Sequence, residues 1–231
     1  MRAALVSNDP TAQVLSVEEV PTPALAPGCV LIEIHRAALN RLDAMMLTQR
    51  HELDRPTIFG SDGAGIVVQV GPGVQTVDVG SHVIISPSLN WGHAPEAPGA
   101  DYEILGAPTD GTHAQYVAIP AENAYDKPDR LSWSEAAALP MAGVTAWRAL
   151  VTRGRLVHGE TVVIPAASAG VGSIAIQVAK GLSMAPPGFR PSTGSRSTSL
   201  APPWAPRPTS PPSSTTSRRP AGSPRSTRST R

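Results

Sequence analysis

The part of this 231-residue sequence best suited to hold a ligand is a turn of small residues: Ala166, Ala167, Ser168, Ala169, Gly170, Val171 and Gly172. It is preceded by Thr161-Val162-Val163-Ile164, a β-branched apolar run bounded by Gly159 and Pro165, which predicts a buried strand. It is followed by Ile174, Ala175, Ile176, Val178 and Ala179, at spacings that suit a buried helix. Strand, tight turn and helix in that order can cradle a diphosphate. Small residues let the backbone approach the phosphates, and the helix N-terminus supplies free N–H groups and the positive end of its dipole. The dinucleotide fingerprint is G-x-G-x-x-G. Here the six residues ending at Gly172 read A-S-A-G-V-G, with Ala167 and Ala169 in the first two glycine places. On these residues alone an ordinary strand-turn-helix of an α/β protein stays open.

The elements that must position this turn come before it, and the first 130 residues read as β-rich. Residues 14–20 alternate roughly with period 2, and residues 29–34 form an apolar run after a Pro27-Gly28 turn. Further short strands are expected at 65–71, 83–85 and 114–120, with Gly and Pro between them. That pattern predicts a compact barrel or sandwich. One helix is expected at 41–50, its Met45, Met46 and Leu47 filling core space. Residues 131–153 change character. Ser132 or Ser134 can cap a helix, with Glu135 near its start. After Pro140 a second helical run carries Val144, Trp147, Leu150 and Val151 at i, i+3, i+6 and i+7.

Charge is unevenly spread. The formal net charge is +1, but residues 185–231 hold eight Arg and no Lys, Asp or Glu, which leaves 11 basic against 18 acidic side chains in the first 184. The single cysteine, Cys29, excludes an intrachain disulfide, a CxxC redox pair and a Cys-rich zinc site. No apolar run approaches the ~18–20 residues of a membrane span, and the N-terminus lacks the apolar core of a signal peptide. The expectation is a cytoplasmic protein with no membrane partner.

Several motifs, taken in order, resemble the medium-chain dehydrogenase/reductase family, in its zinc-free, quinone-reductase-like branch. They are Ala38-Leu39-Asn40-Arg41-Leu42-Asp43, Gly60-Ser61-Asp62-Gly63-Ala64-Gly65, Gly80-Ser81-His82-Val83 and Asp110-Gly111-Thr112-His113-Ala114-Gln115-Tyr116. Leu139-Pro140, Thr145-Ala146-Trp147 and the Gly170-Val171-Gly172 turn continue the series to about residue 180.

The resemblance implies a β-rich GroES-like barrel at 1–130, followed at 131–184 by the start of an α/β Rossmann domain for NADPH or NADH. The nicotinamide would lie between them. Zinc-dependent members hold their catalytic metal with a Cys and a His. Here Asn40 stands at the Cys place and Ser61 at the His place, with Asp62 where Glu is usual. Neither Asn nor Ser is a good zinc ligand. The stretch matching the family's structural zinc lobe, 88–95, has no Cys. No zinc and no other metal is expected.

Catalysis would then be direct hydride transfer from the cofactor to a small quinone, enone or carbonyl substrate. The resemblance places Asn40, Asp43, Ser61 and Asp62 at the reacting end and Thr145 with residues 166–172 on the cofactor. Asn40 is expected to donate a hydrogen bond to the substrate oxygen as negative charge grows there. Asp43 is expected to orient the loop bearing Asn40 and Arg41, or to touch the cofactor. Plainer roles stay open: a turn residue for Asn40, a helix cap for Asp43, a buried helical hydroxyl for Thr145. His113 is expected to satisfy a hydrogen bond at a strand edge rather than act as an acid.

The resemblance stops near Lys180. From Ala185 onward, 47 residues include 11 Pro, 11 Ser, 7 Thr and 8 Arg. Proline at that density blocks helix and sheet ladders, so a disordered tail is expected at 185–231. The preferred reading is an out-of-frame translation that truncates the Rossmann domain. A basic arm that binds nucleic acid is the lesser reading. On the preferred reading the intact parent is the reductase, expected as a homodimer, and the chain as written is impaired. A non-catalytic GroES-like pseudoenzyme is the alternative, as is a zinc-type alcohol dehydrogenase in name only.

Overall fold

The computed structural model describes residues 1–9, 11–48, 53–94, 97–106 and 108–183. The tail expected at 185–231 lies outside the described residues, as do Gln49 and Arg50 at the end of the expected first helix.

The first part is a β-structure of three small sheets. β1 (Arg2–Val6) is flanked by β2 (Leu15–Glu19) and β4 (Thr57–Ile58) in one antiparallel sheet. The largest sheet contains β3 (Cys29–Ala38), β5 (Asp62–Val70), β6 (His82–Ile85), β10 (Tyr116–Pro120) and β11 (Ala124–Asp126), in the order β10-β3-β5-β6-β11. A third holds β7 (Ser88–Leu89), β8 (Glu103–Leu105) and β9 (Pro108–Thr109). The expected strands are thus found, β3 running four residues further than its apolar run. It does so because β5 pairs with it as far as Ala38↔Asp62, through two register shifts that absorb the polar end.

Alternation sets the core. Val30 and Ile32 from β3, Val67 from β5, Val83 and Ile85 from β6, and Val117 and Ile119 from β10 point to one side and are all at most 2% exposed. Leu89 and Leu105 close the cluster from the third sheet. Each such side chain contributes roughly 1.5–3 kcal/mol by burial.

The described residues also form four α-helices: α1 (Arg41–Thr48), α2 (Trp133–Ala138), α3 (Pro140–Trp147) and α4 (Gly170–Ser183). In α1 the expected core residues Met45, Met46 and Leu47 are only half-buried, while Leu42 and Asp43 are buried. Ser132 is the N-cap of α2. Its hydroxyl accepts the Glu135 N–H and the Glu135 carboxylate accepts the Ser132 N–H, a capping box that satisfies two donors at the helix start. Those hydrogen bonds hold the Glu135 carboxyl below the usual range. Ala136 and Ala137 then pack on Ala64 of β5, and the Trp133 ring lies between His35 and His82 at 4.6 and 5.0 Å.

Two expectations are corrected here. The run Thr161-Val162-Val163-Ile164 is not a strand and is not buried: Val162 is 36% exposed and Val163 86%. A parallel strand is stable only between neighbours and under helices, and no other strand lies beside this run among the described residues. The helical stripe through Val144 and Trp147 also fails, since these are 40% and 51% exposed. The buried side is Ala142, Ala146 and Leu150, at i, i+4 and i+8. From Arg148 to Arg153 the helix widens to a π turn, and Leu150 packs with Ala146 and with Ala175 of α4.

Candidate active site

The site is built at the crossing of β3, α1 and β5. β3 ends at Ala38, and Asn40 follows as the residue just before α1. The Asp43 carboxylate turns back from the first turn of α1. Its Oδ2 accepts the Asn40 backbone N–H at 2.6 Å, and the Asp43 N–H donates to the Asn40 carbonyl at 3.1 Å. This closes the turn and satisfies a donor at the helix start, so Asp43 is both the cap and the orienting residue. Its Oδ1 accepts the Ser61 hydroxyl at 3.0 Å.

Gly60 brings Ser61 and Asp62 to this point. Its φ of +99° is open to glycine at little cost, and the His113 ring occupies the space a Cβ would take. The stretch 110–113 braces the approach: Asp110 accepts the Ile58 N–H, Gly111 and His113 donate to Ile58 and Phe59, and Thr112 donates to Gly60. The Thr112 hydroxyl donates to the Asp62 carbonyl at 2.7 Å. Arg55 forms a two-pronged ion pair with Asp110 at 3.0 Å per prong. His113 Nε2 sits 3.4 Å from the Ala38 carbonyl oxygen, at the strand edge where a hydrogen bond was expected.

Asn40, Asp43, Ser61 and Asp62, expected together from their motifs, therefore form one contiguous network. Asn40 is half-buried; Asp43, Ser61 and Asp62 are buried, Asp62 completely. The Asn40 carboxamide donates from Nδ2 to Asp62 Oδ2 at 3.0 Å and to Ser61 Oγ at 3.3 Å. Both Nδ2 protons are thereby committed inside the network. Burial pushes the Asp62 carboxyl up to about 6 and the Asp43 charge adds to the rise, against the hydrogen bonds from Asn40 and Met141.

Met141 was not among the expected site residues. Its backbone N–H donates to Asp62 Oδ1 at 2.9 Å. Leu139, the residue before α3, has no side chain able to cap it, and Pro140 removes one donor at the helix start. Asp62 supplies the missing cap from β5. A proline-started helix with an aliphatic cap residue was a sequence signal that a carboxylate from elsewhere was needed.

The residues expected to meet a cofactor lie on α3 and at the start of α4. Thr145, half-buried on α3, donates its hydroxyl to the Met141 carbonyl at 2.7 Å. Ala166, Ala167, Ser168, Ala169 and Gly170 form an exposed turn that runs into α4, with Val171 exposed and Gly172 buried. Ala166 has φ +55°, and a Cβ on Gly172 would collide with its carbonyl oxygen. The turn is thus held tight against the N-terminus of a 14-residue helix, an arrangement that suits an anion. Among the described residues no group of three or more His, Cys, Asp and Glu side chains is placed to hold a metal ion. None of their helices is long and apolar enough to cross a membrane.

The β-structure is of the GroES-like type found in alcohol dehydrogenases. The alcohol dehydrogenase GroES-like domain matches residues 26–129. A zinc-type alcohol dehydrogenase-like protein of Leptosphaeria maculans is 33% identical over 168 residues, 68% of this chain and 47% of that protein. A trans-enoyl reductase of Aspergillus flavipes is 36% identical over 178 residues, 73% and 48% of the two chains. The crystal structure of an NAD-dependent alcohol dehydrogenase superposes with a TM-score of 0.71 at 36% identity, covering 79% of this chain and 56% of that one. Residues 26–129 belong to the alcohol dehydrogenase GroES-like family, and the relatives that the chain resembles are medium-chain dehydrogenases and reductases. It spans about half the length of the curated relatives it matches.

Proposed function

We propose an NAD(P)H-dependent reductase that delivers hydride to a quinone, enone or other carbonyl compound without zinc. Residues 1–130 form its catalytic part and residues 131–184 begin its NAD(P)-binding part. The observation that carries the reading is the composition of the network at Asn40. Zinc takes Cys sulfur, His nitrogen or carboxylate oxygen. This site offers an amide, a hydroxyl and two carboxylates whose four oxygens already accept hydrogen bonds from Asn40, Ser61 and Met141. Such a donor set does not fit zinc. The similarity to a trans-enoyl reductase supports an enone as acceptor.

When bound, the nicotinamide cofactor supplies the hydride. The protein's part is to bind and orient. Residues 166–172 would hold the cofactor's diphosphate at the start of α4, and Thr145 would meet its nicotinamide. The Asn40 carboxamide would serve the substrate oxygen, where negative charge develops, once an N–H is free of Ser61 and Asp62. Asp43 fixes the Asn40 backbone and Ser61 fixes its side chain.

A second reading, a non-catalytic GroES-like protein, draws on Val162 and Val163. Both are exposed in the stretch that should be the first strand of the cofactor sheet. One experiment separates the two readings: titrate the purified chain with NADPH and NADH by fluorescence, then assay turnover of 1,4-benzoquinone and an enone with and without a chelator. Chelator-insensitive turnover is expected of the reductase. Absence of cofactor binding supports the second reading, and stoichiometric zinc whose removal abolishes turnover overturns the first.

A further inference from the structure

The proposed role of Asn40 conflicts with its hydrogen bonds. A donor to a substrate oxygen needs an N–H facing outward, yet both Nδ2 protons point to Ser61 and Asp62. The same partners define a way out. Ser61 donates its one proton to Asp43 Oδ1 and so accepts from Asn40. Asp62 Oδ1 is held by the Met141 N–H, which leaves Oδ2 as the oxygen that faces the Asn40 amide.

We propose that a proton on Asp62 Oδ2 turns the Asn40 carboxamide over, so that Asn40 presents its NH₂ outward, away from Asp62, only when Asp62 is neutral. With Asp62 ionised, Oδ2 is an acceptor and draws Nδ2 inward. With Oδ2 protonated, O–H and N–H would face each other as two donors, and the amide relieves this by exchanging its ends. Asn40 Oδ1 then accepts the Asp62 O–H, the 3.3 Å bond to Ser61 is given up, and both Nδ2 protons turn outward. Asp62 is a positioning residue in this scheme: it acts through Asn40 and transfers no proton to substrate. The inference rests on the reductase reading for its purpose but not for its geometry.

Complete burial of Asp62 and the charge of Asp43 from α1 favour the neutral form below about pH 6. From the other packed elements, the N-terminus of α3 faces Asp62 through Met141 N, and the His113 ring lies against Gly60 two residues away.

The test is the Asn40 side-chain NH₂ resonance pair in the ¹⁵N-labelled full chain, followed from pH 4.5 to 8 beside the Met141 backbone amide. Both are expected to move with one shared midpoint near 6. The variant Asp62→Asn is locked neutral. Its own NH₂ must face Asn40 once Met141 N has taken its oxygen, so its Asn40 pair should sit at the low-pH position at every pH. A Met141 amide that titrates while the Asn40 pair stays still overturns the proposal, and so does a wild-type chain in which neither moves. The wild-type titration decides the matter even if the variant does not fold. No cofactor is present in it, so its outcome is independent of whether the chain binds NADPH.

Discussion

Asp62 and Met141, 79 positions apart, are joined by a 2.9 Å hydrogen bond from the Met141 backbone N–H to the Asp62 carboxylate. One oxygen of a fully buried side chain on β5 caps α3, and the other holds the Asn40 amide. The start of α3 and the Asn40 side chain therefore share a single ionisable group.

That group ties stability to pH. The Asp62 carboxyl is raised from 3.8 to about 6, so the native chain binds this proton more tightly than the unfolded chain. Its contribution is fully present below about 3.8 and is lost as pH rises through about 6. The difference amounts to about 3 kcal/mol between pH 3.8 and 7. Urea unfolding of wild type and Asp62→Asn across this range is expected to show the slope in the wild type and its loss in the variant.

Gly60→Ala puts a methyl group into the space of the His113 ring at a φ of +99°. The strain is expected to cost on the order of 1–3 kcal/mol, read as a lower urea midpoint. The same change displaces Ser61 and Asp62, so the Asn40 side-chain resonances should shift even in the fraction that stays folded. A variant with wild-type midpoint and unchanged Asn40 signals would show that the positive φ is not what aims these residues.

Val163→Ser tests the corrected strand. A valine buried in a sheet contributes roughly 1.5–3 kcal/mol, whereas one that is 86% exposed contributes little. The expected change in unfolding free energy is within about 0.5 kcal/mol, with less self-association of the chain. A loss of more than about 1.5 kcal/mol would place Val163 inside a packed sheet.

The sequence by itself showed the β-rich first part with β2, β3, β5, β6 and β10, a helix cap at Ser132 or Ser134, and the small-residue turn at the start of α4. These depend on local periodicity, side-chain size and cap chemistry, all of which act within a few residues. It also brought Asn40, Asp43, Ser61 and Asp62 together, because their motifs carry a family spacing that the pairing of β3 with β5 preserves.

Tertiary structure alone decided the rest. Whether Thr161-Val162-Val163-Ile164 becomes a strand depends on a neighbour to pair with, which β-branched composition cannot supply. Which side of α3 is buried depends on where α4 lies, so Ala146 and not Trp147 faces inward. The bond from Met141 to Asp62 and the commitment of both Asn40 protons are contacts across long stretches of chain. Hydrogen-bond direction there is set by which donors and acceptors the fold brings within 3 Å, and residue type fixes only what each group is able to give.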